Sequence, residues 1–275
     1  MKFGTPLTVE ETKQVELSIL TRFDAFCREH SLRYYLAYGT LIGAVRHKGF
    51  IPWDDDIDIQ MPREDYVKLL SIYPKDGTLR LIAPTDPDAE HTFAKLVDTE
   101  TVKVEGGHKY KNDADYRGID IDIFPLDGQP SDGEEYRKWY HKLRKVYRKI
   151  WMRELELTGD LKLSFKLAIV CFKAIRVFIP KREKLLERAA ALHAMYPYDS
   201  SEYVGCIESY FNGIGNRNPK SAYGDTVLLD FEDKKFPAPV GYHDILTNMY
   251  GDYMQLPPED KRESHNVTVR KCRTL

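Results

Sequence analysis

Asp56-Ile57-Asp58-Ile59 and Asp120-Ile121-Asp122-Ile123 repeat one alternation of acid and isoleucine. On a β-strand successive side chains leave opposite faces, so each run sends its two acids one way and its two isoleucines the other. Two such strands side by side would bury the isoleucines and hold carboxylates about 5 Å apart. Like charges that close repel unless a cation lies among them. Magnesium takes hard oxygen ligands, typically one or two carboxylates completed by substrate phosphates, so the pattern points to metal-dependent phosphoryl transfer. One such strand alone reads as the wet face of an antiparallel sheet. Acids on the same face of two strands, with Gly39-Thr40 upstream, favour a metal site. Asp54 shares the parity of Asp56 and Asp58, whereas Asp55 points the other way. Of Asp120 and Asp122, one would hold metal and the other accept the proton of an attacking hydroxyl, the two roles being interchangeable on spacing alone.

The elements that must position these acids are short. Thr8 and Glu11 form a capping-box pattern, and Val15, Ile19, Leu20, Phe23 and Phe26 continue a helical spacing to His30. Tyr34 to Tyr38 reads as a strand ending at Gly39-Thr40, a turn that resembles a phosphate cradle because the helix from Leu41 to Arg46 would aim its free N–H groups at it. The loop His47 to Trp53 leads into the first acidic strand, and Pro62 opens another helix. Leu79 to Ala83 and Phe93 to Val97 read as strands, and the second acidic strand is expected to stop at Pro125, before an Asp127-Gly128 turn.

After Ser131 the pattern turns helical, over Gly133 to Leu157, Leu161 to Ile179 and Arg182 to Met195. The expected organisation is an α+β catalytic core over 1–130, a helical lobe over 131–230, and a C-terminal segment over 231–275 that packs back on the core. The small mixed sheet of the core carries flanking helices.

A formal charge of -2, from 41 Lys and Arg against 43 Asp and Glu, gives no global basic field and argues against nucleic acid as a partner. The absence of an extended basic channel near the acids also weighs against a nuclease. Cys27, Cys171, Cys206 and Cys272 form no CxxC or Cys/His cluster, which indicates neither a zinc module nor a disulfide framework. The opening MKFGTPLTVEETKQ lacks the apolar core of a signal peptide, so a cytoplasmic protein is expected. Four basic residues interrupt Leu161 to Ile179, which is not read as transmembrane.

The run YGTLIGAVRHKGFIPWDDDIDI (Tyr38 to Ile59), the run DIFPLDG (Asp122 to Gly128) and the tail FPAPVGYHDILTNMYGDYMQLPPEDKRESH (Phe236 to His265) resemble the LicD family of phosphotransferases, which is related to fukutin and the fukutin-related protein. The resemblance covers both ends of the chain and little of 132–225. It implies a nucleotidyltransferase-like fold that uses Mg²⁺ and a CDP-linked donor. For bacterial members it implies transfer of phosphocholine from CDP-choline to a sugar hydroxyl of a teichoic acid or lipopolysaccharide precursor; relatives use CDP-ribitol. Carried onto this sequence, the motif makes Asp56 and Asp58 metal ligands with Asp122 as the preferred third acid, and Asp120 a further catalytic candidate. A non-catalytic calcium site is the competing reading from another class. It is disfavoured because calcium loops usually draw their ligands from one contiguous segment.

Around these acids, Gly39, Thr40, Arg46 and Lys48 are candidates for the donor phosphates, Arg46 as a fork and Lys48 as a point charge. Lys95, flanked by apolar residues in its strand, needs an anionic partner if buried. His265 matches the terminal histidine of the family. Trp53, Tyr35, Tyr38, Tyr250 and Tyr253 are candidates for an aromatic cage around a quaternary ammonium. Arg137 to Arg153 interleaves eight basic residues with Trp139, Tyr140, Leu143, Val146, Ile150 and Trp151. Such a basic amphipathic helix suits peripheral contact with an anionic membrane presenting a lipid-linked glycan acceptor.

Overall fold

The computed structural model describes residues 3–87, 89, 91–105, 118–154, 176–208, 213–262 and 267–272. The chain forms two compact units, Met1–Leu126 with Asn218–Leu275, and Asp127–Arg217. Residues 218–230, grouped with the helical lobe on sequence pattern, cluster with the first unit.

In chain order the first unit contains β1 (Phe3–Pro6), α1 (Val9–Glu29), β2 (Tyr35–Leu36), α2 (Tyr38–Arg46), β3 (Asp58–Pro62), α3 (Arg63–Ile72), β4 (Leu79–Ile82), β5 (Ala94–Asp98) and β6 (Thr101–Glu105). The strand β7 (Asp120–Gln129) leads into the second unit, where α4 (Gly133–Glu154), α5 (Arg182–His193) and β8 (Tyr203–Gly205) follow. The chain returns to the first unit for β9 (Asn218–Pro219), β10 (Thr226–Phe231), β11 (Lys234–Pro239), α6 (Tyr242–Tyr250) and β12 (Val267–Cys272). The fold is mixed α+β.

The principal sheet of the first unit runs β2-β3-β7-β5-β4. Its centre is the pair of acidic strands, with β3 and β7 parallel and Asp58 in register with Asp122, Ile59 with Ile123. Ile57, Ile59, Ile121 and Ile123 are all fully buried, packed in one core with Leu20 and Phe23 of α1. The capping box forms as the sequence predicts, with Thr8 Oγ1 accepting from the Glu11 N–H and Glu11 Oε2 accepting from the Thr8 N–H. A smaller antiparallel sheet, β1-β12-β6, and the hairpin β10-β11 complete the unit.

Two boundaries differ from expectation. The strand β7 does not stop at Pro125 but continues through Gly128 to Gln129. Proline is tolerated there because β5 pairs with β7 only over Val97 to Ala94, opposite Asp120 to Ile123, leaving β3 as the partner of β7 at Pro125. Gly128 serves close approach rather than a turn: a Cβ there would lie 2.3 Å from the Tyr196 carbonyl oxygen. The helix α2 begins at Tyr38, three residues before the expected start, so Gly39 and Thr40 lie within its first turn.

The loop after α2 packs tightly on the helix. A Cβ at Gly43 would meet the Gly49 carbonyl oxygen at 2.4 Å, and backbone cannot step aside as a side chain does. Glycine in a helix normally costs about 1 kcal/mol relative to alanine, so propensity alone expects Gly43→Ala to stabilise. Overpacking reverses that sign. The substitution should lower stability by roughly 1–3 kcal/mol in urea denaturation, and a more stable variant would contradict the close approach.

In the second unit, α4 buries Tyr136, Trp139, Tyr140, Leu143, Tyr147 and Ile150 against Leu185 and Ala189 of α5. Trp139 Nε1 donates to the Leu192 carbonyl at 2.9 Å. The aromatic side of α4 is therefore spent on this core and is not free to enter lipid. Asp127, near the end of β7, meets His193 Nδ1 at 3.0 Å, and His193 Nε2 lies 3.2 Å from the Tyr147 hydroxyl, a buried polar network that ties α4 and α5 to the strand. Most of the expected helix over Leu161 to Ile179 lies outside the described residues; Arg176–Phe178 form a 3₁₀ turn. Among the described residues no helix is long and apolar enough to cross a membrane.

Candidate active site

The register of three strands assembles the site. Asp58 lies opposite Asp122 on one side of β7, and Lys95 of β5 lies opposite Asp122 on the other. Side chains two apart on a strand share a face, so Asp58, Gln60, Asp120, Asp122, Phe124, Phe93 and Lys95 all project from the same side of the sheet. The isoleucines occupy the other side, as the alternation requires.

The two acids of β7 have different surroundings. Lys95 Nζ contacts both carboxylates, at 2.6 Å from Asp122, while Lys103 Nζ reaches Asp120 at 3.3 Å. Asp120 is the more enclosed, with 7% of its side chain exposed against 21% for Asp122. Burial alone would raise the Asp120 carboxyl, but Lys95 and Lys103 outweigh it and hold the group below the usual range. For Asp122 burial wins over Lys95, and with Asp120 beside it the group is pushed up to about 6. Burial, then the Asp56, Asp122 and Asp54 carboxylates, push Asp58 well above the ordinary range, with Lys95 opposing. Lys95 itself is lowered by burial but raised more by Asp122 and Asp120, so it stays charged.

Asp56 lies just before β3, in the extended loop that carries Asp54 to Ile57. Gly39 gives this loop room. A Cβ at that position would fall 2.6 Å from Asp54 Oδ2, so the glycine lets the Asp54 carboxylate rest against the first turn of α2, where helix N–H groups favour negative charge. Thr40 is buried and its Oγ1 accepts from the Asp58 N–H at 2.8 Å. Thr40 thereby fixes the start of β3 to α2. Valine at this position keeps the shape but orphans that N–H, so Thr40→Val should cost about 1–3 kcal/mol in urea denaturation while Thr40→Ser stays near wild type. Equal stability of all three proteins would remove this positioning role.

The other basic candidates are placed differently. Arg46 Nη1 donates to the Tyr253 carbonyl at 2.6 Å, and its Nε lies 2.9 Å from His47 Nε2, so the guanidinium ties the C-terminal segment to α2. Lys48 is exposed with φ +60°, and its carbonyl accepts from the Glu232 N–H at 2.7 Å. Glu232 Oε1 also accepts from the Phe50 N–H at 3.0 Å, so the β10-β11 turn holds the His47 to Trp53 loop. His265 lies outside the described residues.

The aromatic candidates separate into core and site. Tyr35 is buried with its hydroxyl on the Tyr223 carbonyl, and Tyr253 is buried against His243. Trp53 stacks beneath the Arg262 guanidinium, 4.9 Å from the ring centre. Tyr38, held at φ +45°, sets its ring edge-to-face on Phe124 at 5.2 Å, and Phe124 lies 4.3 Å from Phe93. Burial and the charges of Asp58, Asp54 and Asp56 push the Tyr250 hydroxyl up to about 12, which places Tyr250 beside the acids. Phe93, Phe124, Gln60 and Lys103 are not among the sequence candidates. For Phe124 the available signal was its parity with Asp122, two residues upstream.

Among the described residues no three His, Cys, Asp or Glu side chains already converge to a metal-binding distance. The donor chemistry nevertheless fits a hard divalent cation. The Asp56, Asp122 and Asp54 carboxylates all raise Asp58, the imbalance that a bound cation relieves.

Residues 31–181 match the family described as LicD/FKTN/FKRP, nucleotidyltransferase domain. The chain is 32% identical over 273 residues to the lipopolysaccharide cholinephosphotransferase LicD of Haemophilus influenzae, covering 95% of this chain and 97% of that protein. It is 33% identical over 105 residues to mannosyltransferase regulator 4 of Saccharomyces cerevisiae, covering 38% of this chain and 8% of that protein. An uncharacterized protein of Rickettsia prowazekii is 47% identical over 47 residues, or 17% of this chain and 18% of that protein.

Proposed function

The chain belongs to the LicD family and is a phosphotransferase, and from that premise we propose that it transfers phosphocholine from CDP-choline to a sugar hydroxyl of a cell-surface glycan precursor, releasing CMP. The observation that carries the cargo is the match to a lipopolysaccharide cholinephosphotransferase along almost the whole of both chains. The parallel acid pair at the centre of a small mixed sheet supports a nucleotidyltransferase-like core.

Asp56, Asp58 and Asp122 would hold Mg²⁺. When bound, the ion neutralises the donor pyrophosphate and the charge that develops as the phosphoryl group transfers. The acceptor oxygen attacks the choline-bearing phosphorus in line, its O–P bond forming as the bond to CMP breaks. The hydroxyl proton passes to one of the carboxylates of the acid cluster as the O–P bond forms. Lys95 fixes the Asp122 carboxylate through the contact at 2.6 Å. Tyr38, Phe93 and Phe124 supply aromatic surface on the acid face of the sheet, suited to a trimethylammonium group that cannot donate hydrogen bonds. On this reading the reaction takes place at the inner face of a membrane, with a lipid-linked teichoic acid or lipopolysaccharide precursor as acceptor.

The test is CMP release by the purified protein with Mg²⁺, a lipid-linked glycan acceptor, and CDP-choline, CDP-ribitol or CDP-glycerol in turn. CDP-choline should be used at least about tenfold better than either alditol donor, a difference of about 1.4 kcal/mol. Preference for CDP-ribitol or CDP-glycerol would make the protein a phospho-alditol transferase.

A further inference from the structure

We propose that the second unit carries a docking surface for an anionic lipid bilayer, formed by the basic face of α4 and the neighbouring Val177-Phe178 tip. Between Tyr136 and Arg153 the helix holds eight Lys and Arg and no acid. Since the aromatic side is buried, the charges gather on the side left to solvent, where Lys142, Lys145, Arg148 and Lys149 are exposed. The second unit contains 17 Lys and Arg against 12 Asp and Glu, whereas the rest of the chain contains 24 against 31. A protein of formal charge -2 thus carries a net charge of +5 on this unit (17 minus 12) and -7 on the rest (24 minus 31). Val177 and Phe178 are each 85% exposed. They lie beside the C-terminal end of the same helix, because Arg153 Nη1 donates to the Ile179 carbonyl at 2.8 Å.

A band of lysines and arginines on one helix, with an exposed apolar pair near the end of that helix, offers the two chemistries of a bilayer surface, anionic headgroups and the acyl boundary below them. Each basic side chain near such a surface contributes separately, and salt screens the sum. A nucleic-acid strand would satisfy the charges and could stack a base on Phe178, but Val177 offers no ring to a base, whereas the acyl boundary of a bilayer takes both side chains. The surface goes beyond the proposed chemistry and does not depend on which donor is used.

The experiment is flotation of the full-length protein with vesicles of phosphatidylcholine alone or mixed with phosphatidylglycerol, at low and high salt. Wild type should float with the anionic vesicles at low salt and much less with neutral vesicles or at high salt. Lys142→Gln, Lys145→Gln, Arg148→Gln and Lys149→Gln combined should weaken binding by about tenfold or more. Glutamine keeps helix propensity, so circular dichroism should match wild type. Val177→Ser with Phe178→Ser should weaken binding by several-fold, including the part that survives salt. CMP release with a short soluble acceptor should be the same in all three proteins, which separates failure of docking from failure of the chemistry. Equal binding to neutral vesicles, undiminished binding by the glutamine variant, tighter binding to single-stranded RNA than to anionic vesicles, or CMP release falling in step with flotation would each overturn the proposal.

Discussion

Asp58→Asn should lower kcat for CMP release by roughly a thousandfold, about 4 kcal/mol of lost transition-state stabilisation, without unfolding the protein. Asp58 stands in register with Asp122 and is pushed well above the ordinary carboxylate range by burial and by three acidic neighbours. Asparagine keeps the shape and its N–H to Thr40, and removes a charge that its neighbours repel. Stability in urea should therefore be equal to or above that of wild type. An inactive but stable variant marks a group kept for chemistry at the expense of the fold. Residual activity within about tenfold of wild type would count against a central role for Asp58.

Lys95→Met has the opposite signature, a loss of stability. Its ammonium is the shared partner of Asp120 and Asp122, and both lie on a central strand. Breaking a buried ion pair by removing one partner typically costs about 3–5 kcal/mol, because the remaining charge stays buried. Lys103 still reaches Asp120 at 3.3 Å, which puts the expected loss at the lower end, about 3 kcal/mol. Adding Asp122→Asn to Lys95→Met should restore part of the stability, since it removes the carboxylate that loses its ion-pair partner while Lys103 keeps Asp120 paired. Were Lys95 a ligand for donor phosphate alone, Lys95→Met would raise KM with little change in the urea midpoint. The two measurements distinguish these roles.

The acid-isoleucine alternation made the two strands and their faces legible, because a period of two admits one arrangement when the isoleucines are buried. It placed the two strands side by side, as they are, but did not make the direction of their pairing legible. The sequence separation between Asp58 and Asp122 says nothing about direction, and the parallel register depends on what packs between them. Gly39-Thr40 read as a turn because glycine punctuates local structure. In the fold, Tyr38 takes the left-handed conformation itself and the helix starts there, so Gly39 makes room for Asp54 and Thr40 holds Asp58. Pro125 read as a strand end because its one-sided pairing is a tertiary fact. The amphipathic pattern of α4 was legible, but a periodic apolar face looks the same whether a second helix or a lipid surface covers it. Lys95 was recognised as needing an anion, while the identity of that anion depended on strand order.

The most direct measurement is calorimetric titration of Mg²⁺ into the purified protein in the presence of CDP-choline and without acceptor, for wild type and Asp58→Asn. Wild type should bind the ion with the donor present, and Asp58→Asn should bind it at least about tenfold more weakly. Equal Mg²⁺ affinity in the two proteins, with donor binding intact, would contradict a cation held at the paired acids of β3 and β7.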